Sequence, residues 1–268
     1  MNLKYSKITR PIKYSLISLF GALVLACHTP EGNKQVGWDH YSQIQDTSVK
    51  KILLKAISRA GGLNKWKKLK KLTYQKHGTL FLPDGSVESA NIQLHQYTFD
   101  PYFSAEITWR ENNNDYRILY RSDSAQQFEN GILSDKDPSQ SVMSALYVIG
   151  MPFKLLDEGV KLTFLGHDTL RNGQLVDVIK ASYDPINNQN HSTQEDWYYY
   201  FNRKTGDFSG ALVYHPPTYA YIENITFKDD LPIRFFDHRQ SFRTDAHRNI
   251  EFLRAEFYYT DYELVLAN

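Results

Sequence analysis

The sequence predicts an α+β fold that is mainly β, a strongly curved antiparallel sheet of about 10–11 strands covered by two or three helices. Apolar and polar residues alternate over many short stretches, and turn-forming residues separate these stretches. Tyrosine (19) and phenylalanine (15) are abundant, and aromatic residues favour pleated sheets with one buried face. Few segments have helical spacing, so helices cannot cover so many strands. We therefore expect the sheet to curl around its own apolar face as an open or half barrel.

The N-terminal residues have the organisation of an export signal. Four basic residues precede a short apolar core that ends at Val24-Leu25-Ala26-Cys27. This core is shorter than the about 20 apolar residues of a membrane-spanning helix. The ending resembles the lipobox of bacterial lipoproteins. We therefore expect residues 1–26 to be a lipoprotein signal peptide and Cys27 to carry acyl chains such as palmitate. The alternative is an ordinary secretory signal with a chance cysteine.

Composition excludes several classes of function. Removal of the signal would leave 27 basic residues against 30 acidic ones, with both signs spread along the chain. Such a chain lacks the basic face that binds nucleic acid. Cys27 is the only cysteine, so no internal disulfide, thiol nucleophile or cysteine-rich metal site is expected in the mature chain.

The mature chain begins with a tether and a helix. Residues 27–45 are polar and are predicted to be a flexible lipidated tether, followed by a single domain over residues 46–268. Thr47 or Ser48 can cap a helix with an apolar stripe, which Gly61-Gly62 ends. Asn64 is predicted to cap a short second helix that carries Trp66.

Beyond residue 71 the apolar period changes to two, which predicts strands. The clearest alternation runs from Phe103 to Arg110. Helical spacing returns only between Pro138 and Ile149, where Ser139 is a candidate cap. Asn172-Gly173 then predicts a tight hairpin. The predicted strands are 72–82, 87–99, 103–110, 116–120, a short one near 128, 160–168, 174–183, 197–201, 211–214, 219–227, 233–242 and 250–262.

This order of elements resembles the LolA/LolB-like superfamily, and most nearly the envelope lipoproteins of Bacteroidetes-type bacteria that share its fold. The stretches 56–66, 151–166 and 196–206 carry the likeness, which extends over most of the mature chain at the level of pattern. The resemblance implies an incomplete curved barrel whose open side is covered by helices. In characterised relatives the apolar hollow holds acyl chains of lipoproteins in transit. LolB-like members are lipidated, as we expect for this chain, whereas LolA-like carriers are not.

The inward faces of the predicted strands define a candidate ligand cavity. Its residues share an apolar or aromatic side chain in the inward phase of a strand: Phe103, Ile107, Trp109, Ile118, Tyr120, Trp197, Tyr199 and Phe201. A hollow with this lining could accept a lipid or an acyl chain, because each buried methylene contributes about 0.8 kcal/mol. The alternative is a packed core in which these side chains fill each other's space.

No pattern in the sequence predicts catalysis or a metal or other cofactor. Familiar nucleophile, phosphate-loop and zinc motifs are absent from the sequence. Asp245 and His247 could share a metal ion but lack a third ligand. Asp157-Glu158 and Asp229-Asp230 are interpreted as solvated loop residues.

These observations favour a non-enzymatic, lipid-anchored protein of the bacterial envelope that binds an apolar ligand in a curved-sheet hollow. An alternative is an accessory lipoprotein with a solid core that holds an unknown protein partner at the membrane. A hydrolase is a third hypothesis, which is supported only by aspartates and histidines without an assigned role. His28, which follows Cys27, is not the aspartate that retains lipoproteins at the inner membrane of enteric bacteria, so an outer-membrane location is expected from the resemblance.

Overall fold

The computed structural model describes residues 40–184, 195–215 and 217–268. The expected signal peptide, Cys27 and most of the predicted tether lie outside these residues, as does the polar loop 185–194. The first described element is a turn of helix, and Tyr41 and Ile44 pack against the core. The packed domain therefore extends into the last residues of the segment that was predicted to be a tether.

The described residues form 13 strands of one antiparallel sheet, which is not closed into a barrel. This confirms the predicted fold class; the sheet has two or three strands more than the 10–11 expected, among them β6, where no strand was predicted. The strands are Leu69–Phe81 (β1), Val87–Thr98 (β2), Ser104–Glu111 (β3), Asn114–Arg121 (β4), Ser124–Glu129 (β5), Ile132–Leu133 (β6), Val160–Thr169 (β7), Leu175–Tyr183 (β8), Asp196–Asn202 (β9), Phe208–His215 (β10), Thr218–Lys228 (β11), Phe235–Thr244 (β12) and Ile250–Leu266 (β13). The helices are His40–Gln43 (α1), Thr47–Arg59 (α2), Leu63–Lys67 (α3) and Ser139–Ile149 (α4), with a 3-10 turn at Phe153–Leu156.

The sheet consists of two meanders joined by the first and the last strand. Its order is β6-β5-β4-β3-β2-β1-β13-β12-β11-β10-β9-β8-β7, so β6 and β7 are the two edges. Strand β1 pairs with β13 along its length, from Leu69 opposite Leu266 to Leu80 opposite Ala255. The connection between β6 and β7 must therefore pass from one edge of the sheet to the other, and α4 and the 3-10 turn lie in this connection.

Helix α2 covers one end of the sheet with the apolar stripe that the sequence predicted. Val49 and Leu53 are fully buried. The N-cap is Asp46, one residue before the predicted Thr47, because its carboxylate accepts hydrogen bonds from the backbone N–H groups of Ser48 and Val49. Asn64 does not cap α3; it lies inside that helix, and Gly62 is the N-cap.

Gly61 ends α2 where the chain contacts the sheet. Its φ is +110°, a conformation that favours glycine, and a Cβ there would lie 2.5 Å from the carbonyl oxygen of Pro232. Arg234 donates its backbone N–H to the carbonyl oxygen of Ala60 at 3.0 Å. The predicted Gly61-Gly62 stop therefore also lets the helix end approach the β11–β12 connection closely.

The two faces of the sheet have separate apolar clusters. The inner face, which α2 and α4 cover, carries the main core, and the outer face carries a smaller one. Neighbouring residues of β9 show the division, since Tyr199 belongs to the main core and Tyr200 to the outer cluster. The outer cluster comprises Leu170, Val176, Val178, Tyr200, Leu212, Tyr221 and Phe242. Among the described residues, no helix is long and apolar enough to cross a membrane.

Candidate functional site

Helix α4 lies across the inner face and packs through its apolar side. Val142, Leu146 and Ile149 are buried, as predicted from their spacing. Tyr147 also points inward, and its hydroxyl lies 2.8 Å from that of Tyr183, which lies 2.7 Å from the hydroxyl of Tyr199. This buried chain of tyrosine hydroxyls fixes the helix over β8 and β9.

The 3-10 turn after α4 is fully buried and contains an ion pair. The Lys154 ammonium and the Asp157 carboxylate form this pair, with side chains 4% and 3% exposed. The interpretation of Asp157 as a solvated loop residue is therefore wrong. Its burial could not be inferred from neighbouring residues, since the pair depends on how the connection packs beneath the sheet. Both charges serve packing, since neither side chain is open to a ligand.

A pocket of about 280 Å³ lies between α4 and the middle of the inner face. Helix α4 contributes one wall, and strands β1, β11, β12 and β13 contribute the other. Most of its lining is apolar or aromatic, with a few hydroxyls and two cations. The lining residues are Tyr74, Lys76, Ser141, Ser144, Ala145, Val148, Ile222, Arg239, Ser241, Phe257 and Tyr259. An apolar cavity with a few polar groups is the usual form of a small-ligand site.

The two cations of this pocket are Lys76 and Arg239. Arg239 is 6% exposed, and its guanidinium carbon lies 4.6 Å from the centroid of the Phe236 ring. It donates to the side-chain oxygen of Asn224 at 2.8 Å and to the hydroxyl of Tyr259 at 3.3 Å. All of these partners are neutral.

Lys76 is part-buried and lies above an aromatic ring. Its Nζ atom is 4.7 Å from the centroid of the Phe257 ring. Burial lowers the pKa of Lys76, and the charge of Arg239 lowers it further. No ion pair with a described carboxylate is formed by either cation, and the pocket lining contains no acid.

A neutral histidine lies beside this pocket. His95 is 1% exposed and stacks on Tyr74 at 4.8 Å between ring centroids. Its ring nitrogens lie 3.1 Å from the Tyr97 hydroxyl and 3.1 Å from the side-chain oxygen of Gln93. Burial, together with the charge of Lys76, lowers the pKa of His95 to about 3, so the imidazole is neutral at physiological pH.

The eight residues that sequence reasoning assigned to the ligand cavity belong to the main core, and none of them lines the pocket under α4. Trp109 lines a different, more open groove at the β3–β5 end of the sheet. Five of the eight are at most 5% exposed: Ile107, Ile118, Tyr120, Tyr199 and Phe201. Phe103, Trp109 and Trp197 are partly buried against them. Whether any of the eight contacts a ligand stays a prediction.

Sequence reasoning missed the residues that do line the pocket. A signal for Lys76 was present, because it shares the alternating phase of Leu72 and Tyr74, which are buried on the inner face. A charged residue in an apolar phase is unusual and marks a position of interest. Arg239 gave no comparable signal, since Phe235 and Phe236 are both buried and hide the phase of β12.

The other constellations considered in the sequence have structural roles. The carboxylate of Asp245 accepts hydrogen bonds from the backbone N–H groups of His247 and Asn249 and so shapes the β12–β13 turn. Asp229 binds Arg234 and lies near Arg59. No group of three or more metal-binding side chains occurs within residues 40–184, 195–215 and 217–268.

Comparison with known proteins identifies the fold. No protein-family model matches the chain, and no curated protein matches it. A crystal structure of a DUF1329 family protein from Desulfovibrio piger superposes with a TM-score of 0.54 at 9% identity and covers 82% of this chain and 94% of its own. A LolA superfamily protein from Nitrosomonas europaea gives 0.51 at 9% identity, covering 81% and 94%. The chain therefore has a LolA-like fold, as the resemblance implied.

Proposed function

We propose that this chain is a non-enzymatic, lipid-anchored protein of the bacterial cell envelope that binds a lipid or an acyl chain between α4 and the inner face of the sheet. The pocket under α4 is the observation that carries the proposal. The LolA-like fold supports it, because a LolA superfamily protein from Nitrosomonas europaea shares this fold and the family resemblance implies a hollow that holds acyl chains.

The size of the pocket indicates how such a ligand would bind. Its volume lies just below the about 300–1,000 Å³ of most small-ligand sites. In this conformation the pocket has room for a head group and the first part of a chain. A longer chain would require α4 to move away from the sheet, and each methylene then buried would contribute about 0.8 kcal/mol.

A pair of tryptophan substitutions tests the proposal. Ala145 of α4 lines the pocket, whereas Lys51 is exposed on α2 and does not line it. Ala145→Trp should fill the pocket and abolish binding of decanol in titration calorimetry, and Lys51→Trp should leave binding unchanged. The proposal fails if the wild-type chain binds neither decanol nor a ten-carbon chain with a charged head and releases no lipid on solvent extraction.

The anchor is proposed from the sequence alone, since Cys27 lies outside the described residues. Acylation of Cys27 would hold the domain at the outer membrane. Cys27→Ser should abolish incorporation of labelled palmitate and move the chain from the membrane fraction to the soluble fraction. Retention of the variant in washed membranes would contradict the anchor.

A protein-binding role is the second candidate, and the β6 edge favours it. Ile132 and Leu133 are 74% and 56% exposed on this two-residue edge strand. An exposed apolar edge can pair with an extended segment of another protein. Replacing both residues by lysine should abolish crosslinking to a constant partner, whereas decanol binding should persist. Crosslinking that persists in this variant would count against a protein-binding role of the β6 edge.

A further inference from the structure

The pocket under α4 contains two cations whose described partners are all neutral, which is unusual for charges at this depth. A buried cation is costly unless a carboxylate, a phosphate or several hydrogen-bond acceptors compensate its charge. Arg239 has an amide oxygen and a phenol as partners, and Lys76 has an aromatic ring. Neither arrangement neutralises a charge.

Lys76 and Arg239 also come from different strands and meet in one place. They lie on β1 and β12, which are separated by β13, and both line the same pocket. The pairing register explains this, because β13 places Phe257 opposite Arg239 and Tyr259 opposite Lys76. Like charges repel, so their shared position raises the cost further.

Hydroxyl groups complete the polar side of the pocket. Ser141 and Ser144 of α4 and Ser241 of β12 line it, together with the hydroxyl of Tyr259. Hydroxyls and cations are donors to an anion, and the lining has no carboxylate that would repel one. The remaining lining is apolar, from residues such as Val148 and Ile222.

We propose that the ligand of this pocket is an anionic amphiphile whose carboxylate or phosphate head binds between Lys76 and Arg239, with its chain along the apolar wall under α4. This inference rests on the proposed function and adds the chemistry of the head group. The anion neutralises both cations at once, and the two strands hold them in place before it binds. A neutral chain lacks this interaction.

Four probes separate the contributions of head and chain. Decyl phosphate and decanoate carry an anionic head on a chain, decanol has the chain without the charge, and inorganic phosphate has the charge without a chain. Each is titrated below its micelle concentration into the full chain carrying Cys27→Ser, which removes the acyl attachment. The wild-type pocket should bind decyl phosphate and decanoate about tenfold or more tightly than decanol, since a charge-assisted hydrogen bond contributes that much.

Substitutions assign the effect to the two cations. Lys76→Met should weaken decyl phosphate at least about tenfold relative to decanol, and Lys76→Arg should restore most of this preference. Lys71→Met is the matched control, because Lys71 is exposed on the opposite face of β1. Arg239→Lys, compared with Arg121→Gln at an exposed position, tests the second cation and should weaken decyl phosphate. Thermal unfolding of each variant shows that the loss does not come from misfolding.

Different outcomes would overturn the anionic head group and the binding of an apolar chain in the pocket. Equal binding of decanol and decyl phosphate by the wild-type chain, or equal loss in Lys76→Met and Lys71→Met, would overturn the anionic head while leaving the apolar site intact. Binding of inorganic phosphate as tight as that of decyl phosphate would show a site for free anions and overturn the amphiphile. Binding of no probe at all would overturn both proposals.

Discussion

On the outer face of the sheet, Arg171 and Arg248 each lie over an aromatic ring, and each binds a carboxylate. Arg171 lies 4.6 Å from the Phe242 ring and holds Glu223 through two hydrogen bonds of 2.6 Å. Arg248 lies over Tyr200 and binds Asp168 at 2.7 Å. At the outer cluster, the positive charge of each arginine is therefore neutralised by a carboxylate.

On the inner face, Arg239 stacks in the same manner on Phe236, but its hydrogen bonds go to neutral groups. Lys76 likewise lies over an aromatic ring and forms no ion pair with a described carboxylate. The arginine–aromatic contact of Arg239 thus lacks the acid that accompanies those of Arg171 and Arg248. It differs in the same way from Arg234, which lies over the Phe227 ring beside the main core and binds Asp207 and Asp229. The difference indicates that the outer arginines stabilise the fold, whereas the inner cations are kept for a ligand.

Breaking an outer pair should have the largest effect on stability. Arg171→Met leaves Glu223, 6% exposed, as an unpaired carboxylate. Loss of one partner of a buried pair costs about 3–5 kcal/mol, and the half-exposed Arg171 places this case lower, at about 2–3 kcal/mol. The measurement is chemical denaturation. Adding Glu223→Gln to Arg171→Met should recover most of the lost stability, and Arg121→Gln, at an exposed position, is the control. If Arg171→Met leaves the denaturation midpoint unchanged, the outer arginines do not stabilise the fold more than the inner cations do.

A second prediction concerns His95, which stays neutral on the inner face and so makes the stability of the fold depend on pH. His95 has a pKa of about 3 when folded, against an ordinary value of 6.5. The unfolded chain therefore takes up a proton near pH 6.5 that the folded chain refuses, so His95 costs stability as the pH falls from 6.5 towards 3. Between pH 8 and pH 5 the loss is about 2 kcal/mol.

The pH effect is measured as a difference between variants. His95→Gln should unfold with a weaker dependence on pH than the wild type, whereas Gln96→Ala, at the exposed neighbouring position of β2, should not. NMR of the imidazole gives a direct check. Protonation of His95 near pH 6 in the folded chain would show that the inner face accepts a third cation and would weaken the comparison.

The sequence could predict those parts of the fold that depend on neighbouring residues. The alternation of β3, the stripes of α2 and α4 and the Asn172-Gly173 hairpin are local patterns, and the structure confirms them. The N-cap at Asp46 was missed by one residue, because several neighbouring polar side chains can cap a helix equally well.

The pocket could not be predicted in the same way, because it depends on contacts between distant parts of the chain. Lys76 and Arg239 meet only after β1 pairs with β13 and β13 pairs with β12. A register is not visible in one strand alone, and β12 and β13 contain bulges that shift it. The predicted cavity residues were chosen as apolar or aromatic side chains in the inward phase of single strands; five of them are at most 5% exposed, and a ligand contact at any of the eight stays a prediction.

The smallest expected effect has the opposite sign to the first and so provides the sharpest contrast. Lys76→Met replaces an uncompensated inner cation by an apolar side chain of similar length. It should stabilise the ligand-free chain by about 1 kcal/mol, since replacing a poorly compensated buried charge by a packed apolar group is often stabilising. For a domain of this size the thermal midpoint would rise by about 2–4 °C. Lys71→Met on the opposite face should leave the midpoint unchanged.

If Lys76→Met instead lowers the midpoint as Arg171→Met does, Lys76 stabilises the fold in the same way as the outer arginines. If it raises the midpoint, the wild-type chain keeps a destabilising charge at the wall of its pocket, as expected for a residue retained to bind an anion.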